Sequence, residues 1–200
     1  MKILQIISSP RGEASQTIQL SEAIIQKLKA KNSNTSVTVR NLTVNPLPYI
    51  IDNHIQAFTT PAENRSEEQL EVIKLSDKLL AEVKDADTIV IGAPMYNFGI
   101  PAVLKSWIDH LARAGVSFSY TADGPVGLII GKKVYLAIGS GGVYSEGNYK
   151  AIDFIEPYLR TSLGFFGMAD ITVFRIEGVS VSALKDQAMQ VALDKLSVLN

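Results

Sequence analysis

The segment Ala93-Pro94-Met95-Tyr96-Asn97-Phe98-Gly99-Ile100-Pro101 follows the apolar run Thr88-Ile89-Val90-Ile91. It offers two aromatic rings, a thioether and an amide, with no carboxylate, histidine, cysteine or lysine. Such a set lacks the usual acid and base side chains. It builds a flat apolar wall with backbone N–H groups beside it, which suits a planar heterocycle: aromatic and sulfur contacts hold the face while the donors read the polar rim. A second segment, Ser8-Ser9-Pro10-Arg11-Gly12-Glu13-Ala14-Ser15-Gln16-Thr17, is rich in hydroxyls and ends where a helical pattern begins. Free N–H groups, the helix dipole and short hydroxyls together suit a phosphate dianion. Gly12 stands alone where a dinucleotide fingerprint needs three spaced glycines, and no Gly-Lys-Ser/Thr closes the loop, so a phosphate monoester is the better guest. A third segment, Gly139-Ser140-Gly141-Gly142, lets the backbone come close to a ligand edge. Taken singly, Ser15 or Thr17 could merely cap a helix, and the other two segments could be ordinary tight turns.

The elements around these segments decide between those readings. Continuous apolar runs alternate with helical spacing, the pattern of parallel strands buried on both faces and helices packed over them. The runs predict strands over residues 2–8, 37–42, 88–93, 133–138 and 171–176. Helices are expected over 17–31, from the capping box Ser66-Glu67-Glu68-Gln69 to about 84, and from Pro101 toward Gly115, with Val103, Leu104, Trp107, Ile108 and Leu111 at core spacing. Two more follow over about 149–163, which Pro157 should bend or interrupt, and over 182–199. Two insertions break the pattern: 43–65, with Pro46, Pro48 and Pro61, and 116–131, which reads as a hairpin around Asp123-Gly124. The fold class is therefore α/β: one domain over residues 1–200, with a doubly wound five-stranded parallel sheet and helices on both faces. In such sheets ligands bind at the carboxyl ends of the strands. All three segments leave those ends, and a phosphate at one end with a planar ring at the other describes flavin mononucleotide (FMN). An isoalloxazine brings its own electron chemistry, so the missing acids and bases are not needed.

Composition removes other classes. The chain has 200 residues, no cysteine, and 19 Lys and Arg against 20 Asp and Glu, a formal charge of −1. No zinc-thiolate site, iron–sulfur cluster or thiol nucleophile is possible, and a reducing, cytoplasmic setting is expected. With no block of like charge, neither nucleic acid nor an anionic membrane is an expected partner. The start, MKILQIISSPRG, is interrupted by Gln5 and is too short for a signal sequence, and no apolar run approaches the roughly 18 residues of a membrane helix. His54 and His110 belong to no triad-like grouping and read as structural, with no metal site. Ile138-Gly139-Ser140-Gly141 lacks the spacing of a nucleophile elbow. A phospho-receiver would need acidic residues where Ser8, Ser9 and Ala93-Pro94-Met95 stand.

The chain also resembles the bacterial FMN-dependent NADH azoreductases and quinone reductases, which have a flavodoxin-like fold. The resemblance runs through Ser9 with Ser15-Gln16-Thr17, Asn45-Pro46-Leu47-Pro48, Ala93 to Phe98, Arg113-Ala114-Gly115-Val116, Tyr120 to Pro125, and Pro157-Tyr158-Leu159 with Leu163-Gly164-Phe165. It implies that Ser9, Ser15, Gln16 and Thr17 hold the phosphate and ribityl end. Met95, Tyr96, Asn97 and Phe98 would line the ring, with the Asn97 backbone near its reactive nitrogen, and Gly139, Ser140, Gly141 and Gly142 would meet the pyrimidine edge. No side chain is expected to be catalytic. The resemblance further implies a homodimer with both sites at its interface, where Tyr120 and Phe165 help form the substrate pocket. It implies a ping-pong reaction in which NADH or NADPH reduces the flavin before a quinone or azo compound takes the same place. Similar proteins often carry arginine where this chain has Ser140. A one-electron flavodoxin carrier and a non-catalytic flavodoxin-like binding protein are the alternatives, and the −1 charge and the two insertions argue against the carrier.

Overall fold

The computed structural model describes residues 1–199. The strands are β1 (Lys2–Ile7), β2 (Ser36–Asn41), β3 (Thr88–Pro94), β4 (Phe118–Thr121), β5 (Gly124–Gly127), β6 (Lys133–Gly139) and β7 (Asp170–Ile176). The helices are α1 (Gln16–Lys31), α2 (Asp52–Thr59), α3 (Glu67–Asp85), α4 (Ala102–Leu111), α5 (Glu156–Phe165) and α6 (Ala188–Asp194). Five strands form one parallel sheet in the order β2-β1-β3-β6-β7, and β4 and β5 form a separate antiparallel hairpin. The α/β architecture expected from the sequence is thus borne out. Strand order reverses between β1 and β3, and the crevice at a switch point lies outside their carboxyl ends.

The strand side chains divide by parity between two cores. Leu4, Ile6, Ile89, Ile91, Leu136 and Ile138 face α3, α4 and α5, where Leu79, Leu104, Trp107, Leu111, Leu159 and Leu163 are fully buried. Ile3, Val90, Tyr135, Ala137 and Phe174 face α1 and α6, against Leu20, Ile24, Ala188 and Ala192. This period of two, buried on both sides, is why the strands read as unbroken apolar runs. Gln5 falls on the α1 side, and its amide donates to Ser21 Oγ at 2.8 Å, so its burial leaves no unpaired group there.

Several element boundaries differ from the sequence reading, each for a local reason. The helix expected over 149–163 is a 3-10 turn (Gly147–Ile152) and then α5, which begins at Glu156. Pro157 lies in the first turn of α5, where its missing N–H breaks no helical bond, so it opens the helix instead of bending it. The closing helix is regular only over Ala188–Asp194 and continues as a 3-10 turn. Pro101 is the residue before α4, which ends at Leu111, while Gly115, at φ +76°, turns the chain into the hairpin. The hairpin turn centres on Ala122 and Asp123, because Thr121 pairs with Gly124. The insertion over 43–65 contains α2, unforeseen because its stability comes from packing on α3 and α4. Here His110 Nε2 lies 3.0 Å from Pro48 O, and Ser106 Oγ donates to Pro48 O at 2.8 Å. His54 and His110 are both buried, with ring centroids 5.3 Å apart, and serve this packing. No described helix is long and apolar enough to cross a membrane.

Candidate functional site

The phosphate-like segment folds as the sequence suggests. Ser15 caps α1: its backbone is extended at φ −84°, and its Oγ accepts from Ile18 N at 3.4 Å. Gln16 and Thr17 open the helix, and Ser15 Oγ lies 3.1 Å from Thr17 Oγ1. Ser9, Ser15 and Thr17 are each at most 3% exposed, yet all three border a cavity of about 280 Å³ beyond β1, β3 and β6. Buried hydroxyls facing a cavity at a helix N-terminus are matched to an anion. Arg11 is the only charged residue lining this cavity, and its guanidinium has no partner among the described residues.

The cavity's far wall comes from β3 and β6. Met95 N donates to Gly139 O at 2.7 Å, which carries the β3–β6 pairing one residue beyond the strands. Tyr96 and Gly99 exchange two backbone bonds of 3.0 and 3.1 Å, while Asn97 and Phe98 take φ of +50° and +68°. Two consecutive left-handed residues inside such a closure make a type I′ turn. Asparagine tolerates this region, but phenylalanine does not, at a cost of roughly 1–2 kcal/mol. The surroundings hold the strain: Phe154 N donates to Phe98 O at 3.2 Å. The N–H groups of Asn97 and Phe98 find no acceptor among the described residues. Strain and free donors therefore coincide on the segment that supplies the flat wall.

Gly139 packs directly against the start of α1. A methyl there would lie 2.6 Å from Thr17 Cγ2, so the strand end and the helix start can come this close only without a side chain. Beyond it, the Ser140 hydroxyl donates to Gly142 O at 2.9 Å, and Ser180 N donates to Gly141 O at 2.9 Å. Ser140 is thus turned into its own loop, and the loop offers a ligand its backbone.

Ser9, Ser15, Gln16, Thr17, Met95 and Tyr96 line the cavity, as do Gly139, Ser140 and Gly141. Asn97 borders the adjoining cleft with Ser8 and Tyr96. Phe98 and Gly142 do not line the cavity, and both lie against Tyr144 beside it. Tyr120 and Phe165 do not reach it either; both pack against Phe118, at 5.6 and 4.5 Å between ring centroids. Pro94, Arg11, Val179 and Ser180 also line it and were not singled out from the sequence. Val179 and Ser180 follow β7, and the strand-end rule that flagged the other loops applies equally there.

A hydroxyl-lined cleft for a phosphate ester beside an aromatic wall, at the switch point of a doubly wound parallel sheet, defines a mononucleotide-binding α/β protein. Residues 1–199 match the family described as flavodoxin-like fold, and the chain belongs to that family. It is 52% identical over 182 residues to the FMN-dependent NADH:quinone oxidoreductase of Herminiimonas arsenicoxydans, covering 91% of this chain and 89% of that one. An azoreductase structure from Bacillus anthracis str. Sterne is similar with a TM-score of 0.92 at 33% identity, over 100% of this chain and 99% of that one. An FMN-dependent NADH-azoreductase from Bacillus anthracis str. Ames Ancestor, solved in complex with FMN, has a TM-score of 0.86 at 25% identity, again over 100% and 99%.

Proposed function

We propose that this protein is an FMN-dependent NADH oxidoreductase that reduces quinones and cleaves aromatic azo compounds. The reading rests chiefly on one coincidence: Met95 and Tyr96 line the same cavity as the buried hydroxyls at the α1 N-terminus, and the strained turn that follows them, with two free N–H groups, borders the adjoining cleft at Asn97. The names of its relatives point to the same activity. The donor set fits the cofactor: hydroxyls, an amide and one arginine for the phosphate end, apolar faces for the ring, and a loop of glycines for close backbone approach.

Bound in this crevice, FMN would supply two-electron transfer between NADH and an acceptor that takes the nicotinamide's place. A quinone needs two electrons and one such exchange; an azo bond cleaved to two amines needs four electrons and two exchanges. The chain's own work is positional. Ser9, Ser15, Gln16 and Thr17 hold the phosphate and ribityl end, and Arg11 supplies the positive charge there. Met95 and Tyr96 would flank the ring, with Phe98 beside them against Tyr144, and the free Asn97 N–H would be available as a donor to its rim. Gly139, Ser140 and Gly141 would meet the pyrimidine edge through backbone groups, with Gly142 behind them against Tyr144. Holding the two reactants in contact would be the main catalytic contribution of the chain, and positioning of this kind supplies roughly 7–11 kcal/mol. No side chain of the crevice donates or removes a proton in this scheme.

A homodimer belongs to the same reading. Tyr120 is 74% exposed on the hairpin, and a second copy would bring Tyr120 and Phe165 to the open side of the partner's site. The absence of cysteine suits work in the cytoplasm.

The test is the visible spectrum of the purified protein without oxygen, before and after a small excess of NADH. A yellow protein that bleaches and regains its colour when a quinone is added is the expected result. A protein that takes up no FMN when it is supplied refutes the reading.

A further inference from the structure

Tyr144 lies outside every motif read from the sequence, yet it touches both loops at the ring end of the crevice. Its ring meets Phe98 edge-on, with centroids 6.3 Å apart and planes at 71°. A methyl built at Gly142 would lie 3.2 Å from its Cε2. On its outer side follows Tyr149, at 6.0 Å and 62% exposed, so an aromatic surface runs from the 96–99 turn beside the crevice into solvent.

A carboxylate holds this tyrosine in place. Tyr144 N and Ser145 N donate to Glu177 Oε1 at 2.8 and 2.9 Å, and Ser145 Oγ donates to Glu177 Oε2 at 2.5 Å. Three donors from two consecutive residues fix both atoms of one carboxylate, and bonds to an ionised acceptor are about twice as strong as neutral ones. Glu177 is itself anchored, since its Oε1 lies 3.5 Å from Arg175 Nη1. The other guanidinium nitrogen, Nη2, bonds Asp153 Oδ2 and Glu156 Oε2 at 2.5 Å each. Asp153 in turn accepts from Ile155 N at 3.0 Å at the start of α5, and the neighbouring Phe154 N is the donor to Phe98 O. One buried guanidinium thus joins the supports of Tyr144 and of Phe98.

We propose that Glu177, braced by Arg175, is a positioning residue that fixes Tyr144 as a second aromatic wall and so favours flat, multi-ring acceptors over single-ring ones. The proposal rests on the flavin oxidoreductase reading above. A single-ring acceptor is covered by the flavin and the wall of residues 95–98. Additional fused rings extend past Phe98 toward Tyr144 and Tyr149, where edge and face contacts discriminate by roughly threefold to tenfold.

The experiment compares the wild type with Tyr144→Leu, Tyr144→Phe and Glu177→Ala, using a benzoquinone and an anthraquinone sulfonate as acceptors and NADH as donor. FMN affinity is measured separately by fluorescence titration. The ratio of KM for the three-ring acceptor to KM for the one-ring acceptor should rise about threefold to tenfold in Tyr144→Leu and Glu177→Ala. It should return to the wild-type ratio in Tyr144→Phe, while the ratio of the two kcat values stays unmoved. Tyr144→Leu leaves the Glu177 clip intact, so it carries the test even where Glu177→Ala loosens the fold. Equal KM changes for both acceptors, or weaker FMN binding with an unchanged KM ratio, would overturn the proposal and leave the oxidoreductase reading standing. A wild type that binds no FMN overturns both.

Discussion

Replacing Gly139 with alanine puts a methyl 2.6 Å from Thr17 Cγ2, well inside contact distance. Neither backbone can withdraw easily. Gly139 is paired with Pro94 on one side and Ile176 on the other, and Thr17 O already lies 3.3 Å from where a Cβ on Gly92 would stand. What remains is rotation of Thr17, a β-branched side chain with few accessible rotamers, and that rotation carries its hydroxyl away from Ser15 and the cavity. Overpacking of this kind costs about 1–3 kcal/mol. In a chain of this size each kcal/mol lowers Tm by roughly 2–4 °C, so a drop of about 2–12 °C is expected. Losing one hydroxyl bond to a phosphate weakens FMN binding by roughly tenfold or more. Thr17→Ser removes Cγ2 and keeps the hydroxyl, so the double variant Gly139→Ala/Thr17→Ser should regain most of the Tm and the affinity. Thermal melts and fluorescence titration of the four proteins give the coupling directly. A Gly139→Ala protein that melts and binds like the wild type, or a double variant no better than Gly139→Ala, refutes the argument from close approach.

Asn97 sits at φ +50°, so Asn97→Gly keeps the N–H and eases the turn, whereas Asn97→Pro loses both the donor and the conformation. NADH-dependent turnover should stay within a few-fold of wild type in the glycine variant and fall by roughly a hundredfold in the proline variant; similar losses in both would point to the side-chain amide. Arg11→Gln removes the one cation at the cavity, and FMN affinity should weaken about threefold to tenfold with a shallower dependence on salt. An unchanged Kd at low ionic strength would exclude the charge contribution. Burial pushes the pKa of His110 below its ordinary value; the charge of His54 adds to this, and the Pro48 carbonyl opposes it. His54 is lowered by burial as well. The unfolded histidines take up protons near pH 6.5 and the folded ones resist, so this contribution is complete above about pH 6.5 and lost as pH falls toward the folded values. Melting between pH 8 and 5 should show that decline, and His110→Gln should flatten it. A pH profile unchanged by the substitution would assign the decline elsewhere.

The sequence by itself determined the sheet and most of the crevice. Runs such as Ile89 to Ile91 are apolar on both faces because two helical layers cover them, and that double burial is a local pattern. The cap at Ser15 and the capping box at Ser66 depend on neighbours within three residues, so they too were legible. The tertiary structure alone decided what depends on distant partners. Helix α2 exists through packing on α3 and α4, and no periodicity in the proline-bearing insertion announces it. The left-handed Phe98 contradicts its own conformational preference and is held by Phe154, 56 positions further along the chain. Tyr144 owes its place to Glu177, 33 residues away, and Glu177 is braced by a guanidinium that also binds Asp153 and Glu156. Hydrophobic period and capping act over a few residues, whereas strain and buried charge persist only where remote groups meet, and that meeting is a property of the folded chain.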